Sequence, residues 1–291
     1  MAEVGVIEIT DDKYPELLKE IKGQAPKKLF YKGNWNEDLF KNCLGVVGSR
    51  HLTSYGKRAI EKLVTEISCA GVTIVSGFMY GGDEAAHSAT VRCGGKTIAV
   101  MPCGINKIFP EYQAELYNKI LENNGLIISE YEGDFLPQTW SFVQRDRIVA
   151  GLCKAVFVTE AGLNSGSLLT ANYAKKYGRK VFALPGPITS EVSKGSLKLI
   201  REGAEAVTEA NDILSFYPVR NSSHSVISNG VYAPQTGTLE QKIMGFLGRE
   251  PMEADAMARE LGISVSQIGT TLTIMQLRGI INQENGKYYT N

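Results

Sequence analysis

Six short runs rich in Val and Ile, separated by longer amphipathic segments, predict an α/β protein. Its core would be a doubly wound, Rossmann-like, mostly parallel sheet covered by helices on both faces. A tail that reads as three helices, then strand, Asn-Gly turn and strand, adds a small C-terminal winged-helix domain. A polar stretch divides the two parts.

Residues 1–40 form a polar lead expected to pack on the main body. Within it, YPELLKEI spaces Leu17, Leu18 and Ile21 as a small amphipathic helix, and KKLFYKG reads as a strand. From 41 to 215 the runs CLGVVGS, GVTIVSG, KTIAVMP, GLIISE, KAVFVTE and RKVFALPG supply the strands. Segments such as YGKRAIEKLVTEISCAG and NSGSLLTANYAKKYG supply helices between them. Ligands of such a sheet lie beyond the carboxyl ends of the strands, near a switch in strand order. Residues 216–238, rich in Ser, Asn and Gly with Arg220 as the one formal charge, read as a linker. Residues 239–291 are the winged helix.

Composition narrows the function. The chain of 291 residues is 43% hydrophobic, enough for one large domain and a small one and unlike a disordered chain. Lys+Arg and Asp+Glu both number 31, so a nucleic-acid binder built on global positive charge is excluded and any basic patch must be local. The five cysteines (Cys43, Cys69, Cys93, Cys103 and Cys153) are widely spaced without a C-x-x-C pair, which predicts reduced core thiols and no metal site. The N-terminus MAEVGVIEITDDKYP has acids where a secretion signal carries lysines, and no run reaches the roughly 20 apolar residues of a membrane span. A cytoplasmic protein without membrane contact is expected.

Four strand ends carry candidate chemistry. Gly48-Ser49-Arg50 stops one strand and restarts the chain as a helix, a turn that places backbone N–H groups before an anion. An ordinary strand-to-helix turn reads the same way. The triplet is neither G-x-G-x-x-G nor G-x-x-x-x-G-K-[ST], which disfavours an NAD-type dehydrogenase and excludes a P-loop ATPase. In SGFMYGGDEAAH, Asp83 and His87 share one helix face. They fit acid–base machinery, half a metal site, or more commonly a helix-start aspartate with the histidine hydrogen-bonded to it. TWSFVQRDRIVAG mixes Trp140 and Phe142 with Arg145 and Arg147, suited to stacking on bases and pairing with phosphates, or equally to a core aromatic beside solvated arginines. Ser165, Gly166 and Ser167 open a further helix and would form a second anion cradle, with Lys175 two turns on.

Taken in order, VVGSR-x-x-T-x-YG, SG-x-x-x-G-x-D-x-x-AH, K-TIAV-x-x-x-G, FP, SE, F-x-x-R-x-RI-x-x-G and SGSL-x-TA-x-x-A followed by V-F-A-x-PG resemble the DNA processing protein A family (DprA, also called Smf). The likeness runs from YPELL near residue 14 to LIREGAEAV near residue 207. It implies an extended Rossmann fold that binds single-stranded DNA, usually dimerises, and loads the RecA recombinase onto incoming strands in natural transformation and competence. It further implies no catalytic residue, cofactor or metal. DNA binding would fall to Gly48, Ser49, Arg50, Phe142, Arg145, Arg147, Ser165, Gly166, Ser167 and Lys175, while Asp83, His87 and Glu130 would support the pocket. The chain departs from the family where Phe78, Tyr80 and Gly81-Gly82-Asp83 replace small residues and Gly-Ile-Asp. It departs again where Val143 and Asp146 interrupt F-P-x-R-N-R. Asp146 between two arginines is expected to weaken phosphate binding.

Residues 41–215 hold 19 Lys+Arg against 17 Asp+Glu, and 239–291 hold 5 against 6. The expected recognition helix carries one cation, Arg278. Groove-binding winged helices neutralise phosphates, so this domain is expected to contact protein rather than DNA. Two other classes fit the same strand ends: a nucleotide-binding sensor, and a nucleotide-phosphoribohydrolase-like enzyme using Asp83 or Glu130.

Overall fold

The computed structural model describes residues 3–218 and 238–290, so the expected linker lies almost wholly outside the described residues. The chain divides into two compact units, Met1–Ser222 and Ser223–Asn291.

The first unit is built on a nine-stranded sheet. In chain order its elements are β1 (Gly5–Glu8), α1 (Glu16–Lys19), β2 (Lys28–Gly33), β3 (Cys43–Val47), α2 (Ser54–Cys69), β4 (Thr73–Ser76), α3 (Gly82–Arg92), β5 (Thr97–Met101) and α4 (Ala114–Glu122). There follow β6 (Leu126–Ser129), α5 (Thr139–Leu152), β7 (Ala155–Val158), α6 (Ser167–Lys176), β8 (Lys180–Ala183), α7 (Lys194–Arg201), β9 (Glu205–Ala206) and α8 (Ala210–Leu214). Strand order is β1-β2-β6-β5-β4-β3-β7-β8-β9. The six apolar runs form β3 to β8, all parallel to their neighbours within that block. The lead does more than pack on the body: β2 extends the sheet antiparallel to β6, and β1 pairs antiparallel with β2.

Burial on both faces explains the continuous apolar runs. Leu44, Val46, Ile74 and Phe157 meet Ile60, Leu63, Val64 and Ile67 of α2 on one face. Val47, Val75, Val100 and Val156 meet Ile148 and Val149 of α5 on the other. Gly151 of α5 lets Leu18 of the lead approach, since a Cβ there would lie 2.7 Å from its Cδ1. The chain leaves β3 toward β4 on one side, and β7 joins β3 on the other. That switch point opens a crevice between the carboxyl ends of β3 and β7.

The second unit contains α9 (Leu239–Leu247), β10 (Met252–Glu253), α10 (Ala254–Leu261), α11 (Val265–Leu277), β11 (Ile281–Glu284) and β12 (Lys287–Thr290). This is the expected winged helix, with β10 as a third strand that the sequence did not reveal. Asn285 and Gly286 turn the hairpin with φ of 51° and 81°, the left-handed pair that an Asn-Gly turn favours. Ser264 and Gln267 form a capping box at the start of α11, and Ile243, Met257, Ile268, Leu272 and Met275 fill the core. Among the described residues no helix is long and apolar enough to cross a membrane, and no group of three or more His, Cys, Asp or Glu is placed to hold a metal. All five cysteines are free thiols, but Cys69 is exposed and Cys93 half-buried, so only Cys43, Cys103 and Cys153 are the expected core thiols.

Candidate nucleic-acid interface

At the switch point lies a cleft of about 820 Å³. Its walls come from the segments after β3, β4 and β7 and from the first turns of α5. Gly48, Ser49, Arg50, Phe142, Arg145, Ser165, Gly166, Ser167 and Asp83 all line it. All nine come from the segments beyond strand ends that the sequence singles out.

The Gly48-Ser49-Arg50 turn is pinned from three sides. A Cβ at Gly48 would collide with Thr159 Oγ1 and sit 3.2 Å from Gly82 Cα, so the close approach of two backbones requires glycine. The Ser49 N–H donates to the Glu160 carbonyl at 2.6 Å, and the Gly82 N–H donates to the Ser49 carbonyl at 3.0 Å. Ser49 Oγ accepts the His51 N–H at 3.0 Å. The anion expected before α2 is already supplied by the chain. The Glu160 carboxylate, only 2% exposed, accepts the Thr53 N–H at 2.7 Å and the Thr53 hydroxyl at 2.5 Å. Of the two expected anion cradles, therefore, the first already has its Ser49 N–H and the Thr53 cap bonded within the chain, and Arg50 projects from it.

Arg50 is exposed, and its guanidinium carbon lies 5.6 Å from the Tyr80 ring centroid and 5.4 Å from that of Phe142. Phe142 is half-buried and braced edge-on by Phe109, with centroids 6.0 Å apart. On the opposite wall the second cradle stands at the start of α6, where the Ser165 and Ser167 hydroxyls meet at 3.2 Å and the Ser167 N–H donates to Ser165 Oγ at 3.3 Å.

The arginine pair splits. Arg145 is 4% exposed, and its Nη1 donates to the carbonyls of Gly77 and Val100 (2.6 Å for the latter), tying the ends of β4 and β5 together beneath the cleft floor. Its Nε donates to Asp146 Oδ1 at 3.1 Å. Arg147, two residues on, points to the other side of α5. Its Nη2 donates to Glu130 Oε1 at 2.6 Å in a separate cavity shared with Gln24, Lys27 and Tyr173. Positions two apart on a helix face nearly opposite directions, so the two arginines do not form one clamp. Lys175 is likewise absent from the cleft lining: it sits in the last turn of α6, paired with Glu202 at 2.9 Å.

Among the acids, burial pushes Asp146 up to about 6, partly offset by Arg145. Burial also raises Asp83, against the pull of Arg145 and the N–H of Met79, which donates to its carboxylate at 3.2 Å. The expected Asp83–His87 bond is not made. His87 is fully buried and its Nδ1 meets Thr97 Oγ1 at 2.7 Å, while that hydroxyl donates to the Ile74 carbonyl. The hydroxyl proton is thus committed, so Nδ1–H is the donor and the ring is neutral; burial lowers its pKa to about 3. Glu130 supports α5 through Arg147, outside the cleft.

Tyr80, read from sequence only as a departure from the family pattern, and Glu160 were not among the expected site residues. Tyr80 follows the end of β4 by four residues, and the strand-end rule points to such positions. Glu160 grips Thr53 across 107 residues, and no local pattern announces that pairing.

The family model for DNA recombination-mediator protein A matches residues 5–218, and that for the DprA winged helix domain matches residues 232–287. DNA processing protein DprA of Streptococcus pneumoniae is 44% identical over 208 residues, covering 71% of this chain and 72% of that protein. Protein Smf of Escherichia coli is 37% identical over 280 residues, covering 94% and 74%. The X-ray structure of the S. pneumoniae protein superposes with a TM-score of 0.69 at 41% identity, covering 74% of this chain and 75% of that one. A Helicobacter pylori DNA processing protein A structure, described as giving insights into its unique single-stranded DNA binding mode, gives 0.66 at 30% identity, covering 74% and 97%.

Proposed function

From the premise that this chain belongs to the DprA/Smf family of DNA processing proteins, we propose that residues 41–215 bind single-stranded DNA in the switch-point cleft, and that the protein protects incoming strands and delivers them to a RecA-type recombinase in the cytoplasm. The observation that carries the reading is Arg50, an exposed guanidinium lying against two aromatic rings, opposite the serine-lined start of α6. Guanidinium pairs with backbone phosphate, aromatic faces accept any base, and hydroxyls at a helix start favour a further phosphate. Binding is then largely independent of sequence and strongly dependent on salt. Duplex DNA hides its base faces and competes poorly.

The protein works by binding and not by turnover. Glu130, one candidate acid, is spent on Arg147 outside the cleft, and Asp83, the other, is spent on the Met79 N–H. Members of the family usually act as homodimers, and we extend that to this chain. The winged helix, whose α11 holds no cation and is capped by Arg278 paired with Glu240, contacts protein.

The test is fluorescence anisotropy of labelled oligo-dT, with duplex and thymidine monophosphate as competitors. Wild type binds tightly, Arg50→Ala loses about tenfold and lowers the salt slope by about one, and the mononucleotide displaces the strand weakly. Displacement by mononucleotide at equal concentration would point instead to a nucleotide sensor. Delivery is read separately, as a shorter lag in strand exchange by RecA when the protein is added. An unchanged lag removes that part alone.

A further inference from the structure

We propose that Tyr80 is a second nucleobase platform, forming with Phe142 a two-ring slot in which the Arg50 guanidinium now lies, so that the slot takes a base–phosphate–base step of a single strand. The inference rests on the single-stranded DNA reading above.

The arrangement is built and not accidental. Phe78 is fully buried in the core beside Met101 and Tyr117, with φ of 61°, and fixes the loop on one side of Tyr80. Asp83 holds the Met79 N–H, and the Met79 carbonyl accepts the Glu84 N–H at 3.0 Å. On the other side, Gly81 has φ of 82° and Gly82 donates to the Ser49 carbonyl. Between these anchors Tyr80 remains 38% exposed on the cleft wall, with its ring directed at the same guanidinium that Phe142 faces.

A planar guanidinium both stacks on rings and offers paired N–H groups to phosphate oxygens. When a strand enters, the phosphate competes for Arg50, and the ring faces it leaves are covered by bases. One cation facing two rings offers in one place the chemistry that recurs along a strand: base, phosphate, base. A mononucleotide engages only half of it.

The experiment compares oligo-dT with a strand of equal length and charge carrying abasic sites, for wild type, Tyr80→Ala and Tyr80→Phe. The proposal expects Tyr80→Ala to lose about five- to tenfold on oligo-dT, to bind the abasic strand within about twofold of wild type, and Tyr80→Phe to restore oligo-dT binding. Equal abasic binding also reports a folded cleft. Unchanged oligo-dT binding by Tyr80→Ala, or equal loss on both strands, overturns the platform while leaving the DNA reading intact. Failure of wild type to bind either strand overturns both.

Discussion

Asp146 lines the cleft and is paired with Arg145, which makes it the residue where pH reaches the proposed complex most directly. Its carboxyl, largely withdrawn from solvent beside Arg145, is pushed up by that burial to about 6, above the ordinary 3.8. A carboxyl raised in the folded state favours folding while protonated. That contribution is fully present below about pH 4 and lost as pH rises through 6. In the proposed complex the same ionisation sets a negative charge near phosphate. Oligo-dT affinity of wild type and Asp146→Asn should therefore coincide near pH 5 and separate above pH 6, with the variant about fivefold tighter at pH 8. Anisotropy across that range checks it; His51 also lines the cleft, so the comparison is made between the two proteins and not on wild type alone. Urea unfolding of the pair should show wild type losing stability relative to the variant over pH 4 to 6. The expectation that Asp146 weakens phosphate binding came from sequence alone, but its contact with Arg145 and its titration needed the packed helix.

At the scale of elements, α5 shows what a motif hides. Written in a line, Arg145-Asp146-Arg147 looks like one cationic clamp. Wound at 3.6 residues per turn, it sends Arg145 under the cleft and Arg147 to Glu130 on the far side. That separation was legible from helical periodicity. The fastening of α2 was not, because Glu160 and Thr53 are 107 residues apart. Removing the Glu160 carboxylate strands the half-buried Thr53 N–H and hydroxyl and empties the buried position that the carboxylate fills. Glu160→Ala should cost about 2–3 kcal/mol in urea unfolding and weaken oligo-dT binding by loosening the Arg50 turn. A stability equal to wild type would mean that the turn holds without it.

For the whole molecule, the parallel sheet was legible because strands buried on both faces must be continuously apolar, as β3 to β7 are. The outer strands were not: β9 has two residues, and β1 is half-exposed with Val6 in solvent. The winged helix has net charge −1 over 239–291 and sets Arg278 against Glu240 at 3.3 Å. Substituting Arg278 and Lys287 together by Ala should leave oligo-dT affinity within about twofold of wild type while the salt slope stays unchanged. A loss of tenfold or more would make this unit a DNA reader. Where the strand lies is read by photocrosslinking. A 4-thiothymidine strand irradiated with the intact protein should mark peptides spanning 77–84 and 139–145, beside Tyr80 and Phe142. Crosslinks confined to 239–291, or to the cavity around Arg147 and Lys27, would place the strand outside the switch-point cleft.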